Sequence, residues 1–347
     1  MRGRPAYPLL KHMVYDVIII GSGPAGLTAA IYAQRFGLST LVIAGRTWGG
    51  QLMLTTDVEN YPGIPSIMGP ELMKRIRDHV AGLGVDVLDR DLTKLEIQKR
   101  PFTVVAEDTT YRARTVITAT GADTRWLAVP GEERLRGRGV SSCAPCDAFF
   151  FKGKNVAVIG GGDSAMEEAH VLAKVCADVV IIHRRDSFRA QNVMIEKVEK
   201  LPNVRFLFNT EVRELYGEKA LTGLLLETTS VSEKQRVASF GDLVQLFGGE
   251  KKAGNTWVFP RDGVFVAIGL VPNTKYFGSI ERDSHGYMKR YEERDENGVI
   301  MYFTKTNVPG IFTAGDVHDT RYKQAVTAAG FGCMAALDVQ RWLSENQ

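Results

Sequence analysis

The chain carries one glycine-rich pattern twice, each time between an apolar strand-like run and a helix-like run. The first copy is VYDVIIIGSGPAGLTAAIYAQRFGLSTLVI, in which 14–20 and 40–43 are predicted strands on either side of a helix. Its G-x-G-x-x-G turn permits a tight bend, close approach of the backbone to a pyrophosphate, and close packing of the helix on the sheet. The sequence therefore predicts a nucleotide-binding βαβ unit. Its predicted binding residues are Gly21, Gly23, Pro24, Ala25 and Gly26.

The second copy is KNVAVIGGGDSAMEEAHVLAKVCADVVIIHRRDSFRA, with predicted strands at 156–159 and 179–182. Its turn has the accepted variant G-x-G-x-x-A. One bare glycine motif arises easily by chance, but two motifs in the same strand-turn-helix context are far more specific. We therefore expect two bound dinucleotides. The predicted binding residues of the second turn are Gly160, Gly162, Asp163, Ser164 and Ala165.

The residues after the second strand of each unit indicate which nucleotide it binds. An NAD site usually places an acidic residue there for the ribose, but the first unit has Ala44-Gly45-Arg46 and is not a standard NAD site. The second unit has a basic run in that place. Guanidinium groups pair bidentately with phosphate, whereas a carboxylate would repel it, so this run predicts NADPH. The alternative is a solvated basic surface. The residues concerned are His183, Arg184, Arg185 and Arg189.

Composition excludes several classes of protein. The 347 residues are enough for two domains, and 44% hydrophobic with 24% charged residues is ordinary for a globular enzyme. The net charge of +3 does not indicate a nucleic-acid or membrane surface. Residues 1–13 lack the apolar core of a secretory signal and are expected to be an unstructured tail. With only four cysteines, we expect a cytoplasmic protein with no nucleic-acid or membrane partner.

The order of the predicted elements indicates a discontinuous first domain. Strand-like runs at 115–122 and 263–274 lie before and after the second glycine module. We predict an α/β fold with two Rossmann-like dinucleotide-binding domains: 1–124 with 262–347, and 125–261 inserted between them. Residues 232–256, polar and without clear periodicity, are predicted to be an elaborated hairpin or loop at the edge of the second domain.

With these residues, the chain resembles the low-molecular-weight thioredoxin reductases, homodimeric flavoproteins with two dinucleotide-binding domains. The resemblance extends from Tyr15 to Leu343. It implies a three-layer ββα FAD domain interrupted by the NADPH domain. The motifs that carry it are GSGPAG from Gly21, GGQL from Gly49, TTDVENYPG from Thr55, CAPCD from Cys143, GGGDSAMEEA from Gly160, HRRDSFRA from His183, TAGDV from Thr313 and GCMAALD from Gly332.

The resemblance assigns FAD to the first glycine module. Asp316 follows a small-residue strand end, where a carboxylate could accept a hydrogen bond from a ribityl hydroxyl, although a plain surface turn is the alternative. A helix beginning near Lys323 would direct its positive N-terminal end at the flavin. The further residues implied around the flavin are Gly50, Gln51, Asn60, Asp316, Lys323, Gln324 and Ala325.

The pair Cys143 and Cys146 is interpreted as redox-active. A structural zinc site needs four ligands, and Cys176 and Cys333 are single cysteines in predicted helices, so no metal is predicted. The C-x-x-C spacing suits a redox dithiol. The resemblance implies a Cys143–Cys146 disulfide in which Cys146 faces the flavin and Cys143 attacks the protein substrate. It makes Asp147 the candidate acid/base, with a simple capping role as the alternative.

The implied reaction passes electrons from NADPH through FAD and the Cys143–Cys146 disulfide to thioredoxin or a thioredoxin-like or glutaredoxin-like protein. The alternatives are a thiol oxidase or a similar reductase with a different electron donor, and a redox-sensing binding protein. Pro145 stands between the cysteines where the family more often has threonine or valine, which leaves redox potential and partner open. Lys323 replaces a usual arginine, and 290–303 is longer than the usual connection.

Overall fold

The computed structural model describes residues 14–54, 57–233 and 239–346. The predicted tail at 1–13, two residues of the 55–63 motif and part of the predicted loop at 232–256 lie outside these residues. The chain divides into two compact units. The first unit comprises the residues up to Asp123 and those from Val271 onward, and the second unit is Thr124–Leu270.

The strands follow one another along the chain as β1 Val14–Ile20, β2 Thr40–Ile43, β3 Asp57–Val58, β4 Ile67–Met68, β5 Asp86–Leu88, β6 Leu92–Glu96, β7 Phe102–Ala106, β8 Thr109–Thr118, β9 Ala122–Thr124, β10 Val140–Ser141, β11 Asn155–Ile159, β12 Asp178–Ile182, β13 Val204–Leu207, β14 Thr210–Tyr216, β15 Gly223–Thr228, β16 Glu250–Lys251, β17 Thr256–Pro260, β18 Gly263–Val266, β19 Leu270–Pro272, β20 Tyr291–Arg294, β21 Ile300–Lys305 and β22 Ile311–Thr313.

The α-helices are α1 Pro24–Arg35, α2 Gly69–Gly82, α3 Glu132–Leu135, α4 Ala144–Asp147, α5 Asp163–Ala173, α6 Asn192–Glu199, α7 Phe240–Leu246 and α8 Ala325–Glu345, and short 3-10 turns occur at Gly50–Leu54, Ala148–Phe151 and Gly315–Val317. None of these described helices combines the length and apolar composition that a membrane crossing requires.

The first unit is built on a sheet in the order β20-β21-β22-β8-β1-β2-β5, extended from β8 by β7 and β6. Strand β1 is central and parallel to both neighbours, which explains its nearly continuous apolar run. Val17 and Ile19 pack toward the helices α1, α2 and α8, while Ile18 and Ile20 pack toward β6, β7 and β8. The expected three layers, two of strands and one of helices, are therefore present.

The second unit has a parallel sheet in the order β10-β18-β11-β12-β13 and an antiparallel sheet in the order β14-β15-β17-β16. Val158 and Val179 face the cluster that includes α5, whereas Ala157 and Val180 face the side chains of the antiparallel sheet. The predicted α/β fold with two Rossmann-like units is confirmed, since each glycine module follows a strand that pairs in parallel with its neighbours in its own sheet.

The return of the chain to the first unit occurs later than predicted. Strand β18 is fully buried and pairs in parallel with β11, so it belongs to the second unit. The division falls between Leu270 and Val271, beyond the predicted boundary at 261/262. The apolar run at 263–266 was assigned to the wrong domain because a buried parallel strand has the same sequence signature in either sheet.

Residues 232–256 contain more regular structure than predicted. Strands β16 and β17 form the expected hairpin, but α7 precedes them. Ser239 caps the start of the helix, its Oγ accepting a hydrogen bond from Asp242 N, and the helix buries Leu243 and Val244. Its seven residues are too few for a helical period to stand out in the sequence, so the prediction of hairpin or loop missed it.

We expect Trp257→Ala to destabilise the chain by about 3–5 kcal/mol. The Trp257 side chain is fully buried, packs against Phe259, and donates a hydrogen bond from Nε1 to Thr228 Oγ1 at 3.0 Å. Denaturant unfolding followed by far-ultraviolet circular dichroism would measure the loss. The exposed Val193 on α6 offers a control, since Val193→Ala should change the free energy of unfolding by less than about 0.5 kcal/mol. Equal effects of the two substitutions would contradict this account of the core.

Candidate active site

The first glycine turn leaves room for a side chain at only one of its three glycines. A Cβ on Gly21, which has φ +113°, would lie 2.1 Å from the carbonyl oxygen of Ala119, and a Cβ on Gly26 would lie 2.0 Å from the Gly21 carbonyl oxygen. Nothing lies within 4 Å of a Cβ built on Gly23. The outer glycines are therefore required by backbone packing, while the backbone at Gly23 is open to an approaching ligand.

A second loop of the first unit packs onto this turn. Ser22 Oγ donates a hydrogen bond to the Ala44 carbonyl at 2.9 Å and accepts one from Gly49 N at 3.0 Å. These bonds bring the predicted residue Gly50 to the turn, where its built Cβ would lie 3.4 Å from Gly23 Cα. The next predicted residue, Gln51, donates a hydrogen bond to Asp123 at 2.9 Å.

The C-terminal segment packs on the same turn through Gly315, which precedes α8, and through Gly332, which lies within α8. A Cβ on Gly315 would lie 2.8 Å from Ala25 Cβ, and a Cβ on Gly332 would lie 2.1 Å from the Ala25 carbonyl oxygen. Gln324 caps α8 and accepts a hydrogen bond from Asn60 Nδ2 at 3.3 Å. Predicted residues from four separate stretches of sequence are thus gathered around the first glycine turn.

Asp316 lies in this cluster and has an unusual environment. Asp316 is half-buried, and its buried Oδ1 has no hydrogen-bond partner among the described residues. Burial, with a contribution from the nearby Asp319, raises the pKa of Asp316 to about 6. The predicted cation Lys323 acts against this rise in the pKa of Asp316. Lys323 has φ +52°, and its amide donates a hydrogen bond to Asp319 Oδ2. A buried acceptor without a partner is the arrangement that a ligand hydroxyl would satisfy.

The second glycine turn repeats the division of roles found in the first. A Cβ on Gly160 would lie 2.4 Å from the Ala267 carbonyl oxygen, whereas the space over Gly162 is open to 4 Å. Ala165 occupies the third position and is fully buried. Asp163, the first residue of α5, accepts hydrogen bonds from the backbone and side chain of Gln191 at 2.8 and 3.2 Å. Ser164, also predicted as a ligand, is exposed at the start of the same helix.

The predicted basic run packs directly on this turn. The carbonyl oxygen of Gly161 accepts a hydrogen bond from Arg189 N at 2.7 Å. The His183 ring covers the same glycine, since a Cβ on Gly161 would lie 2.3 Å from His183 Cε1. His183 is buried, and burial together with Arg189 and Arg185 lowers the pKa of its imidazole. The histidine is therefore a neutral packing partner of the turn.

The guanidinium groups of the run are available to a ligand. Arg184, Arg185 and Arg189 are exposed, and none of them forms an ion pair with a carboxylate in the described part of the chain. Three cations without a counter-ion beside an open glycine turn suit a phosphate group better than a ribose hydroxyl.

The two C-x-x-C cysteines form a disulfide with Cα atoms 5.3 Å apart. Cys143 precedes α4, and its carbonyl oxygen accepts hydrogen bonds from the amides of Cys146 at 3.2 Å and Asp147 at 3.1 Å. Ala144 is fully buried against the core that includes α5, which anchors the short helix. Both cysteines are partly buried and Pro145 is exposed, so the disulfide lies at the surface of the second unit.

Two residues that sequence reasoning missed hold the disulfide segment. Ser141 Oγ donates a hydrogen bond to Asp147 Oδ2 at 2.6 Å and accepts one from Cys143 N at 3.1 Å. Glu168, on α5, accepts a hydrogen bond from the Ala144 amide. Ser141 lies two residues before the pair and could have been suspected. Glu168 is brought there by the fold, with strand β11 and the glycine turn intervening in the chain.

The other cysteines do not join this site. Cys176 is buried just after the end of α5, so the prediction that it lies within a helix was wrong, and burial raises the pKa of its thiol to about 11. Cys333 lies on α8 as predicted. Across residues 14–54, 57–233 and 239–346, no group of three or more His, Cys, Asp or Glu side chains is arranged to hold a metal ion.

The buried Asp316 predicts a pH-dependent stability for the chain stripped of bound cofactor. Between its ordinary pKa of 3.8 and about 6, the folded state keeps a proton that the unfolded state releases, so the stability that Asp316 contributes falls as pH rises through this window. We expect the wild type to lose up to about 3 kcal/mol relative to Asp316→Asn across it. Thermal unfolding of both proteins at several pH values measures the difference.

Comparing the two proteins is necessary because His318 acts in the opposite direction. Burial lowers the pKa of His318 to about 4, so its contribution to stability is lost as pH falls toward that value. His318 is present in both proteins, and its effect cancels in the difference. A difference that does not change with pH would show that Asp316 is not held in its protonated form.

Comparison with known proteins places the chain in a family. The model of the pyridine nucleotide-disulphide oxidoreductase family matches residues 15–332. The chain is 44% identical to a thioredoxin reductase of Mycolicibacterium smegmatis over 96% of this chain and 98% of that protein. It is 41% identical to a bifunctional thioredoxin reductase/thioredoxin of Mycobacterium leprae over 98% of this chain and 68% of that protein. A solved thioredoxin reductase from Giardia duodenalis superimposes with a TM-score of 0.81 at 36% identity, covering 96% of this chain and 100% of that one. The chain belongs to the pyridine nucleotide-disulphide oxidoreductase family.

Proposed function

We propose that this protein is a thioredoxin reductase, which passes electrons from NADPH through FAD and the Cys143–Cys146 disulfide to the disulfide of thioredoxin or a similar small dithiol protein. The observation that carries the proposal is the surface disulfide in the same unit as a glycine turn flanked by unpaired arginines. The names of the full-length relatives support the same activity, and one of them joins reductase and thioredoxin in one protein.

The first unit fits FAD. The open backbone at Gly23 suits a pyrophosphate at the start of α1, and the unpartnered Asp316 Oδ1 suits a ribityl hydroxyl. Bound FAD would accept a hydride from the nicotinamide and deliver two electrons to a disulfide. The residues that we propose hold it are Gly21, Gly23, Pro24, Ala25, Gly26, Gly50, Gln51, Asn60, Asp316, Lys323, Gln324 and Ala325.

The second unit fits NADPH. Arg184, Arg185 and Arg189 would hold the ribose 2′-phosphate, and the open backbone at Gly162 would face the pyrophosphate. The neutral His183 would support the turn without adding charge. These features distinguish the proposal from a thiol oxidase or a reductase that uses another donor. The remaining residues proposed for this site are Gly160, Asp163, Ser164 and Ala165.

The disulfide segment supplies the thiol chemistry. Once the pair is reduced, the Cys143 thiolate would attack the partner disulfide, and the partner thiolate that leaves would take a proton, with Asp147 as the proposed donor. Cys146 would then attack the Cys143 sulfur, releasing the second partner thiol and re-forming the enzyme disulfide. Ser141 orients Asp147 for this role through its 2.6 Å hydrogen bond.

We also propose that the protein is a homodimer in the cytoplasm. Tyr32 and Phe36, at the C-terminal end of α1, and Leu337 on α8 are large apolar side chains that remain exposed on two helices that pack together. Such side chains on neighbouring helices suit an interface between copies. A reducing compartment suits a dithiol that must be regenerated by NADPH.

Cysteine variants test the proposed electron path. We expect NADPH to bleach the flavin of the wild type and of Cys143→Ser and Cys146→Ser under anaerobic conditions, because none of the changes touches a nucleotide site. Reduction of thioredoxin should fall by more than about 100-fold in both variants, since each lacks a disulfide. Absorbance spectroscopy and a coupled disulfide assay measure the two steps.

Two outcomes would redirect the proposal. A wild-type flavin that NADPH does not bleach would favour a different electron donor. Rapid bleaching without thioredoxin reduction would leave the partner to be found in a panel that includes glutaredoxin-like proteins.

Arg189→Ala should raise the KM for NADPH by about 10- to 100-fold, since a charge-assisted hydrogen bond to phosphate contributes about 1.5–3 kcal/mol. The KM for NADH, which lacks the 2′-phosphate, should change little. Lys200→Ala, which removes an exposed cation of the same unit, is the matched control. Steady-state kinetics with both nucleotides measures the effect, and an equal loss with NADH and NADPH would argue against a 2′-phosphate site.

A further inference from the structure

The helix of the second glycine turn is bonded directly to the disulfide segment. Glu168 lies in the middle of α5, and its Oε2 accepts the hydrogen bond from the Ala144 amide, the residue next to Cys143. The bond lies within the second unit. A carboxylate is therefore held one residue from the sulfur that attacks the partner in the proposed reaction.

The hydrogen bonds around Cys143 leave its sulfur few donors. Cys143 N donates to Ser141 Oγ, the Ala144 amide donates to Glu168, and the Cys146 and Asp147 amides donate to the Cys143 carbonyl. Pro145 has no N–H. Every backbone N–H from 143 to 147 thus has an acceptor other than the Cys143 sulfur.

A thiolate at Cys143 would be poorly stabilised in these surroundings. Cysteine thiolates are favoured by nearby N–H donors and cations. In residues 143–147 no backbone N–H is left to donate to the Cys143 sulfur. The charged group that the hydrogen bond to the Ala144 amide holds beside Cys143 is the Glu168 carboxylate. A negative charge close to an ionisable group disfavours the anionic form of that group.

We propose that Glu168 is a positioning residue that restrains thiolate formation at Cys143 and thereby makes the reduced pair a stronger reductant. Reduction breaks one S–S bond, consumes two electrons from the bound flavin and adds up to two protons. Because the carboxylate disfavours a thiolate in the product but has no such effect on the neutral disulfide, it shifts the equilibrium toward the disulfide. This role rests on the proposed function, in which the pair donates electrons to a protein disulfide.

The variant Glu168→Gln tests the role, because glutamine keeps an oxygen acceptor for the Ala144 amide and removes the charge. Glu167→Gln is the matched control, since Glu167 is an exposed neighbour on α5. The flavin-containing full chain would be reduced by dithiothreitol without oxygen, freed of it, and treated with iodoacetamide from about pH 5 to about pH 9, the range in which cysteines of this kind ionise. Peptide mass spectrometry would follow Cys143, with Cys333 as internal reference.

We expect Cys143 of Glu168→Gln to be alkylated about tenfold faster than that of the wild type at the acid end of the profile, which corresponds to a displacement of about one pH unit. At a pH above the Cys143 pKa, where the reduced pair carries the thiolate, its equilibrium with dithiothreitol should shift toward the reduced pair by up to a similar factor, or about 30 mV. Glu167→Gln should follow the wild type in both measurements. Coincident profiles of Glu168→Gln and the wild type, or slower alkylation in the variant, would overturn the proposal.

A second variant keeps the test open if Glu168→Gln does not fold. Pro145→Ala restores an N–H beside the pair and should also speed alkylation of Cys143 at the acid end, whereas an unchanged profile would count against the proposal. Neither measurement uses NADPH or thioredoxin. Failure of NADPH-dependent turnover with an altered Glu168→Gln profile would therefore reject the proposed function alone, and normal turnover with coincident profiles would reject the role of Glu168 alone.

Discussion

Both units depend on the same contact between backbones at the end of a central parallel strand. The first glycine of each turn lies so close to a neighbouring strand that a Cβ would collide with a carbonyl oxygen, that of Ala119 in one unit and of Ala267 in the other. This contact directs the chain from strand into helix directly above the sheet. It also leaves open the space over the second glycine of each turn, and that position is where a pyrophosphate can approach the helix N-terminus.

In the second unit, the helix α5 that follows the glycine turn contacts both the segment after the basic run and the disulfide segment. Its first residue, Asp163, holds Gln191, which follows the basic run, while Glu168 on the same helix holds Ala144 of the disulfide segment. One rigid helix therefore connects the proposed nucleotide site with the disulfide. The proposed restraint on Cys143 depends on this polar frame as well as on the spacing of the two cysteines.

Much of the fold could be predicted because a strand buried on both faces of its sheet has a nearly continuous run of apolar residues. Strands β1 and β2 begin and end at the predicted residues, since parallel central strands read as continuous apolar runs bounded by glycine or polar residues. The same property caused the error at β18, where the run is equally apolar but belongs to the second unit. The short helix α7 escaped prediction because its stability comes from Ser239 capping and two buried side chains.

The sequence by itself determined the two glycine turns, the basic run and the cysteine pair, because each is a local pattern whose spacing carries its meaning. Only the tertiary structure decided which distant residues surround them. Asp316 Oδ1 has no partner among the described residues, in a segment whose Gly315 packs against Ala25. Glu168 reaches Ala144 because α4 packs against α5. Such contacts depend on how the layers of the fold pack together. A single sequence contains no local pattern that shows which distant residues come into contact.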